Sequence, residues 1–216
     1  MQRRRVRERV AYVLDYLREG NPLDRHARHR NQPLLKLLGE DYFTLMEVVL
    51  RRPAEFQPEQ KIDMEENEEV RNAKEVLDVG YDDLTSVAKD NLITVLNRVV
   101  EEKEKEFVEF FNRAESLTLR LHSLELLPGI GKKSLRTILE ERKRNAFSNY
   151  KDIEERTKLK GIKQMLIERI LTEIKASTKS AEGEVGEKYF LFVQPQRDLV
   201  KSTYIGYLER IRQGRS

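Results

Sequence analysis

The 216-residue sequence contains no cysteine and no tryptophan, and aromatic residues make up only 7% of it. Without cysteine there is no disulfide framework and no thiolate zinc site. No apolar run approaches the roughly 18 residues a membrane-spanning helix needs. The arginine-rich N-terminus has no apolar stretch behind it, unlike a secretory signal, so a cytoplasmic protein is expected. Neither sign of charge dominates: 41 Lys and Arg stand against 38 Asp and Glu, leaving +3, a whole-molecule field too weak to demand nucleic acid by itself. No Walker-type loop, paired-carboxylate metal motif or activated Ser nucleophile is present. A non-enzyme with no cofactor and no small-molecule substrate is therefore expected. His26 and His29 have a ligand-like spacing, but Arg25, Arg28 and Arg30 around them would repel a cation, so no metal site is expected.

What is there is charge in quantity, 37% of residues, beside a hydrophobic fraction of 38%. That balance describes a foldable chain with a heavily charged surface, and the length suits two small domains.

The most informative stretch is Leu126-Leu127-Pro128-Gly129-Ile130-Gly131-Lys132-Lys133. Leu117, Leu121, Leu124 and Leu127 recur upstream at helical spacing, and Leu135, Ile138 and Leu139 open a second helical face running to about Arg142. The spacing predicts two short helices joined by a tight turn, a helix-hairpin-helix. Pro128 fixes φ and ends the first helix, while Gly129 and Gly131 admit backbone geometry closed to other residues and leave the main chain uncovered. Ile130 anchors the turn in the core. The second helix begins at once, so its free N–H groups and positive dipole end face the place where Lys132, Lys133 and Arg136 add charge. An oxyanion, most simply a nucleic-acid phosphate, should sit there.

A degenerate copy follows. A short helix to about Thr157 leads into the turn Leu159-Lys160-Gly161-Ile162-Lys163, and Met165, Leu166, Ile167, Ile170, Leu171 and Ile174 line the closing helix. Residues 123–175 resemble the tandem helix-hairpin-helix domains of DNA-uptake, repair and nuclease proteins, which hold nucleic acid through its backbone. The second turn keeps only Gly161 of the glycine pair; Gly161 and Lys163 are its candidate contacts.

Elsewhere, Val10 to Leu17 alternates as a strand ending at Gly20-Asn21-Pro22. Leu23 to Gln32 is basic and aperiodic and reads as an exposed loop, and Pro33 to Leu38 as a short apolar turn or helix closed by Gly39. Asp41 to Leu50 reads as a second strand, with weaker candidates at Glu55 to Met64 and Val70 to Val79 around the acidic run Glu65-Glu66-Asn67-Glu68-Glu69. Thr85 to Ala114 is helical, capped by Thr85 or Ser86, with a possible break across Glu101 to Glu106. Phe107, Phe110 and Phe111 lie at helical spacing and are assigned to the core rather than to base stacking. Residues 177–186 have linker composition. Tyr189 to Val193 is an apolar strand that either completes the N-terminal sheet or docks onto a partner, and Tyr204 to Ile211 a short helix. Basic residues at Arg3, Arg4, Arg5, Arg28, Arg30, Arg142, Lys143 and Arg144 are further candidate phosphate contacts, with Arg51, Arg52, Arg210, Arg212 and Arg215 as weaker ones.

The expected fold is α+β: an OB-like antiparallel β-domain with a basic arm (1–82), a connecting helix (83–115), an all-α tandem helix-hairpin-helix (116–176), a linker (177–186) and a β/α tail (187–216). The runs Ala11 to Leu17, Gly39 to Leu45, Phe107 to Ala114 and Leu119 to Gly131 resemble the archaeal DUF655 family, over roughly residues 10–175. Its members are described as predicted RNA-binding proteins joining an OB-like domain to a helix-hairpin-helix. The resemblance implies RNA as ligand, ribosomal RNA in an archaeal ribosome or its assembly being the expectation, with ribosomal proteins as possible partners of the C-terminal strand. Two alternatives remain open: a DNA-binding accessory factor of repair or recombination, and a glycosylase with lyase activity in which Lys133 would be the nucleophile and Asp152 its supporting carboxylate.

Overall fold

In the computed structural model, the structure describes residues 8–22, 29–177, 187–195 and 202–214. Five strands, β1 (Val10–Leu17), β2 (Leu34–Gly39), β3 (Leu45–Val49), β4 (Lys61–Asp63) and β5 (Glu75–Asp78), form one antiparallel sheet in the order β4-β1-β2-β3-β5. Between β4 and β5 lies a single helical turn, α1 (Glu68–Arg71), capped by the Asn67 side chain on Val70 N–H. Two long helices follow, α2 (Ser86–Glu102) and α3 (Glu104–Arg113), then α4 (Lys132–Arg144), α5 (Tyr150–Thr157) and α6 (Ile162–Ala176). The chain closes with a two-stranded parallel pair, β6 (Tyr189–Phe190) and β7 (Thr203–Tyr204), and the short α7 (Tyr207–Arg212).

The segment 33–38, expected as a turn or helix, is the central strand β2. Leu34, Leu35, Leu37 and Leu38 are all fully buried, so the strand is apolar on both faces and carries no alternation by which to identify it. With it, the sheet has five strands drawn entirely from the N-terminal region, and 189–193 does not complete it. The Asp41-to-Leu50 strand is shorter than expected, because Phe43 takes a positive φ of 53° and turns the chain between β2 and β3.

Each face of the sheet is covered. Tyr12, Leu14, Leu38 and Leu45 pack toward α2, and this buried cluster continues through α3, α4, α5 and α6 to Phe190-Leu191-Phe192-Val193. Ala11, Val13, Leu35, Leu37, Met46 and Val48 form the opposite face, covered by Leu50, Phe56, Met64 and Val70. A bulge at Leu14, between the pairs Val13↔Leu37 and Asp15↔Lys36, bends β1. Among the described residues the central strands β1, β2 and β3 are therefore covered on each face.

The basic 23–32 segment was expected to be exposed. Residues 23–28 lie outside the described residues, but His29 is buried, its Nδ1 2.8 Å from Glu47 Oε1. Glu47 also pairs across the β2–β3 register with buried Lys36. A charge buried in this way needs a partner, and the three side chains supply one another.

Thr85 caps α2, accepting from Ala88 N–H, and donates its own hydroxyl to Asp15 on β1 at 2.6 Å. The helical run to Ala114 is broken at Lys103 (φ −98°, ψ 25°). Phe107, Phe110 and Phe111 are fully buried, and Phe192 meets Phe107 and Phe110 edge to face at 5.4 and 5.0 Å. The apolar run 189–193 thus lies in the core against α3 rather than on an edge open to a partner. Its buried N–H groups are met by Glu173 of α6, a fully buried carboxylate that accepts from Leu191, Phe192 and Val193 at 2.8, 2.9 and 2.9 Å and from Arg169 at 2.7 Å.

Candidate nucleic-acid interface

The turn before α4 differs from expectation on its upstream side. The leucines at 117, 121, 124 and 127 do not lie on one α-helix: Leu117 N–H donates to Leu121 O (2.8 Å) in a tight turn bridged between Ser116 and His122, and only Ser123–Leu126 coils, as a 3₁₀ turn. Thr118 caps that tight turn and Glu125 accepts from His122 N–H; these local bonds compete with helix formation. Leu124 and Leu127 are buried and Ile130 is 5% exposed, so the apolar anchoring expected of the motif is present.

The two glycines of the turn do different things. Gly129 has φ +85°, and a Cβ there would lie 3.3 Å from Met165 Cε on α6. Gly131 has ordinary extended geometry (φ −97°, ψ −178°), correcting the expectation that its backbone excludes other residues. A Cβ on Gly131 would meet nothing within 4 Å. It is the N-cap of α4 and brings no side chain of its own, and among the described residues no other side chain accepts from the first-turn N–H groups.

Around this end of α4 the cations divide into tethered and free. Lys132 Nζ is bound to Arg120 O (2.7 Å) and Glu125 Oε1 (2.7 Å), which fixes the flanking turn against the helix. Lys133 is exposed and has no side-chain partner among the described residues. Arg136 pairs with Glu140 at 2.8 Å on the surface, and Arg144 with Glu141 at 2.7 Å; exposed pairs of this kind are weak and exchange readily. Lys143 is exposed. Arg142 is not a free surface cation: its Nη1 donates to Phe111 O (3.0 Å) and Ala114 O (2.8 Å), capping the C-terminus of α3, and burial lowers its pKa. On its other side the turn forms a wall of a 580 Å³ cleft lined also by Glu125, Glu168, Arg169 and Glu187, in which Glu125 is paired with Lys132 and Glu187 with Arg169. The side that bears Lys133 is the one that presents an exposed cation with no side-chain partner among the described residues.

The second turn has an occupant of its own. Gly161 (φ +73°) caps α6, and the N–H groups of Gly161 and Ile162 donate to Glu154 Oε1 at 2.8 and 3.0 Å. Glu154, on α5, fills the anion position at this helix terminus, and Lys163 lies 3.7 Å from Glu101. No local pattern announces this, because the carboxylate comes from seven positions upstream on another helix. The corresponding offset before Gly131 falls on Leu124, which is buried.

Lys133 and Asp152 are joined by no contact among the described residues. Asp152 accepts from Ser148 N–H (2.9 Å), which holds its carboxyl below the usual range, and meets Arg156 at 3.3 Å, so it closes the N-terminal turn of α5. Of the other basic candidates, Arg3, Arg4, Arg5, Arg28 and Arg215 lie outside the described residues, and Arg30 is exposed. Arg51 donates to Asn72 O, Arg52 pairs with Glu69 at 3.1 Å, and Arg212 with Asp41 at 3.1 Å. Among the described residues no group of His, Asp and Glu could hold a metal ion, and no helix is long and apolar enough to cross a membrane.

The chain is similar to proteins from archaea. A curated protein of Methanocaldococcus jannaschii, uncharacterized protein MJ0038, is 34% identical over 201 residues, covering 89% of this chain and 83% of that one. The crystal structure of Af1531 from Archaeoglobus fulgidus superposes with a TM-score of 0.67 at 37% identity, covering 78% of this chain and 94% of that chain. The family model described as "Protein of unknown function (DUF655)" matches residues 7–194, and the chain is a member of that family.

Proposed function

We propose that this protein is a non-catalytic RNA-binding protein in which the turn 127–131 and the start of α4 act as a helix-hairpin-helix clamp on backbone phosphate, with ribosomal RNA as the ligand. The observation that carries the reading is the contrast between the two glycine turns. At α6 the helix terminus holds an oxyanion, the Glu154 carboxylate. At α4 a like terminus, capped by a bare glycine with exposed Lys133 beside it, has no side-chain acceptor among the described residues. RNA rather than DNA is favoured by the family resemblance and by the basic N-terminal residues Arg3, Arg4 and Arg5, which suit contact with folded RNA. The OB-like description of the sheet is supported by its five-stranded, partly open antiparallel array, while its covered faces leave binding to the helical region.

The test is fluorescence anisotropy of the full chain against a structured ribosomal RNA fragment and a duplex DNA of equal length at equal salt. The expected result is tighter binding of the RNA and a loss of about tenfold or more in Gly131→Glu, whose carboxylate would repel phosphate from the helix terminus. Preference for the duplex DNA would move the protein to DNA repair or recombination. Unchanged affinity in Gly131→Glu would leave the turn a packing device.

A further inference from the structure

A second concave site lies at the far end of α4, about 15 Å from the hairpin at 1.5 Å per residue. It is a cleft of 270 Å³ between the end of α3, the end of α4 and α7. Three guanidinium groups from three separate elements line it, Arg113, Arg142 and Arg210, together with Tyr207 and Ile211, and one carboxylate, Glu115. The arginines are unequally committed. Arg113 pairs with Glu109 along α3. Arg142 uses Nη1 on the two carbonyls of α3, and its Nε and Nη2 have no partner among the described residues. Arg210 lies 6.0 Å from the centroid of the Tyr207 ring and has no ion pair among the described residues.

The apolar part of the cleft is held in place. Tyr207 is buried, its hydroxyl accepts from Glu115 N–H at 3.0 Å and lies 3.1 Å from Ser123 Oγ, and its ring packs edge to face on Phe110 at 4.9 Å. Like charges converging on a concave surface repel one another and concentrate the field there, so the arrangement is stabilised by an anion. Guanidinium groups bind phosphate oxygens through paired N–H donors and lie flat against planar rings. The volume falls just under the usual range for small-molecule pockets, about 300–1,000 Å³, which suits one nucleotide rather than a larger cofactor.

We propose that this cleft is a binding site for a nucleotide phosphate, either the phosphorylated end of an RNA strand or a free mononucleotide, with Arg142 and Arg210 on the phosphate and Tyr207 and Ile211 against the ring. It goes beyond the hairpin clamp and does not depend on it.

Calorimetric titration of the full chain tests this with adenosine 5′-monophosphate, and with one short single-stranded RNA carrying either a 5′-phosphate or a 5′-hydroxyl. Arg142 is left intact because it holds the end of α3. The variant is Arg210→Glu, on the surface, with its melting temperature checked against the parent chain. The phosphorylated RNA is expected to bind about tenfold more tightly than the hydroxyl form, and Arg210→Glu to remove that difference. Binding of the mononucleotide without binding of either RNA, again lost in Arg210→Glu, supports the site as one for a free nucleotide and counts against the RNA clamp. Equal affinity for the two RNA ends with no mononucleotide binding overturns the site, as does mononucleotide binding unaffected by Arg210→Glu. Loss of RNA affinity in Gly131→Glu combined with either of those results leaves the hairpin clamp standing alone.

Discussion

Gly129 and Gly131 are two letters apart and are constrained by different physics. Gly129 sits in the left-handed region, so Gly129→Ala is expected to cost about 1–2 kcal/mol in urea unfolding. Gly131 has a backbone any residue adopts and open space at its Cβ. Gly131→Ala should cost less than about 1 kcal/mol, the difference being that between glycine and alanine as an N-cap. Glu8 gives a pH signature. Its carboxylate is buried and accepts from the N–H groups of Asp41, Tyr42 and Thr44. It comes so near Gly39 that a Cβ there would overlap it. Burial outweighs those bonds and pushes its pKa from 4.5 to about 7. The folded state thus holds a proton that the unfolded state has released between these values. The stabilisation is complete below pH 4.5 and is lost as pH rises through about 7, up to about 3 kcal/mol. Denaturant titrations across that window should show stability falling with pH from this site, and Glu8→Gln should flatten the dependence.

At the scale of elements, Glu173 fastens the tail to the helical region. Glu173→Ala leaves Arg169 buried with part of its partnership gone and three N–H groups of 191–193 unmet. A loss of about 3–5 kcal/mol is expected. Hydrogen exchange at Leu191, Phe192 and Val193 should accelerate more than exchange in β1 or β2. What the sequence made legible at this scale depended on local signals. The helices α2, α4, α5 and α6 stand where apolar spacing places them, and Thr85 caps α2 as a side-chain acceptor. β2 was hidden because a strand buried on each face has no period-two pattern. The leucines before the hairpin mimicked helical spacing across a turn that Thr118 and Glu125 organise instead. Arg142 looked like its neighbours Lys143 and Arg144, and only the arrival of α3 beside it makes it a cap. The occupation of the second turn by Glu154 is likewise a product of tertiary packing.

For the molecule as a whole, a net charge of +3 means that affinity for nucleic acid has to come from where cations are placed. Most arginines on the described surface are balanced by acids, including Arg98 on Glu102 and Arg212 on Asp41 and Glu106. Few phosphate contacts, and therefore a shallow dependence on salt, are expected. Plotting the logarithm of RNA affinity against that of salt concentration should give a slope that Lys133→Ala reduces by about 0.7–0.9, one contact's worth, while Arg52→Ala, already paired with Glu69, leaves it unchanged.

The carboxylate at α6 bears on how the two turns respond to their surroundings. Glu154 is attached to the chain, and a tethered group competes at an effective concentration of about millimolar or above, whatever the solution contains. The second turn is thereby occupied by its own protein, and a dissolved anion has to displace Glu154 to reach it. Among the described residues the first turn has no tethered competitor, since buried Leu124 stands at the matching offset, so in the proposed clamp its occupancy is set by the ligand supplied from outside.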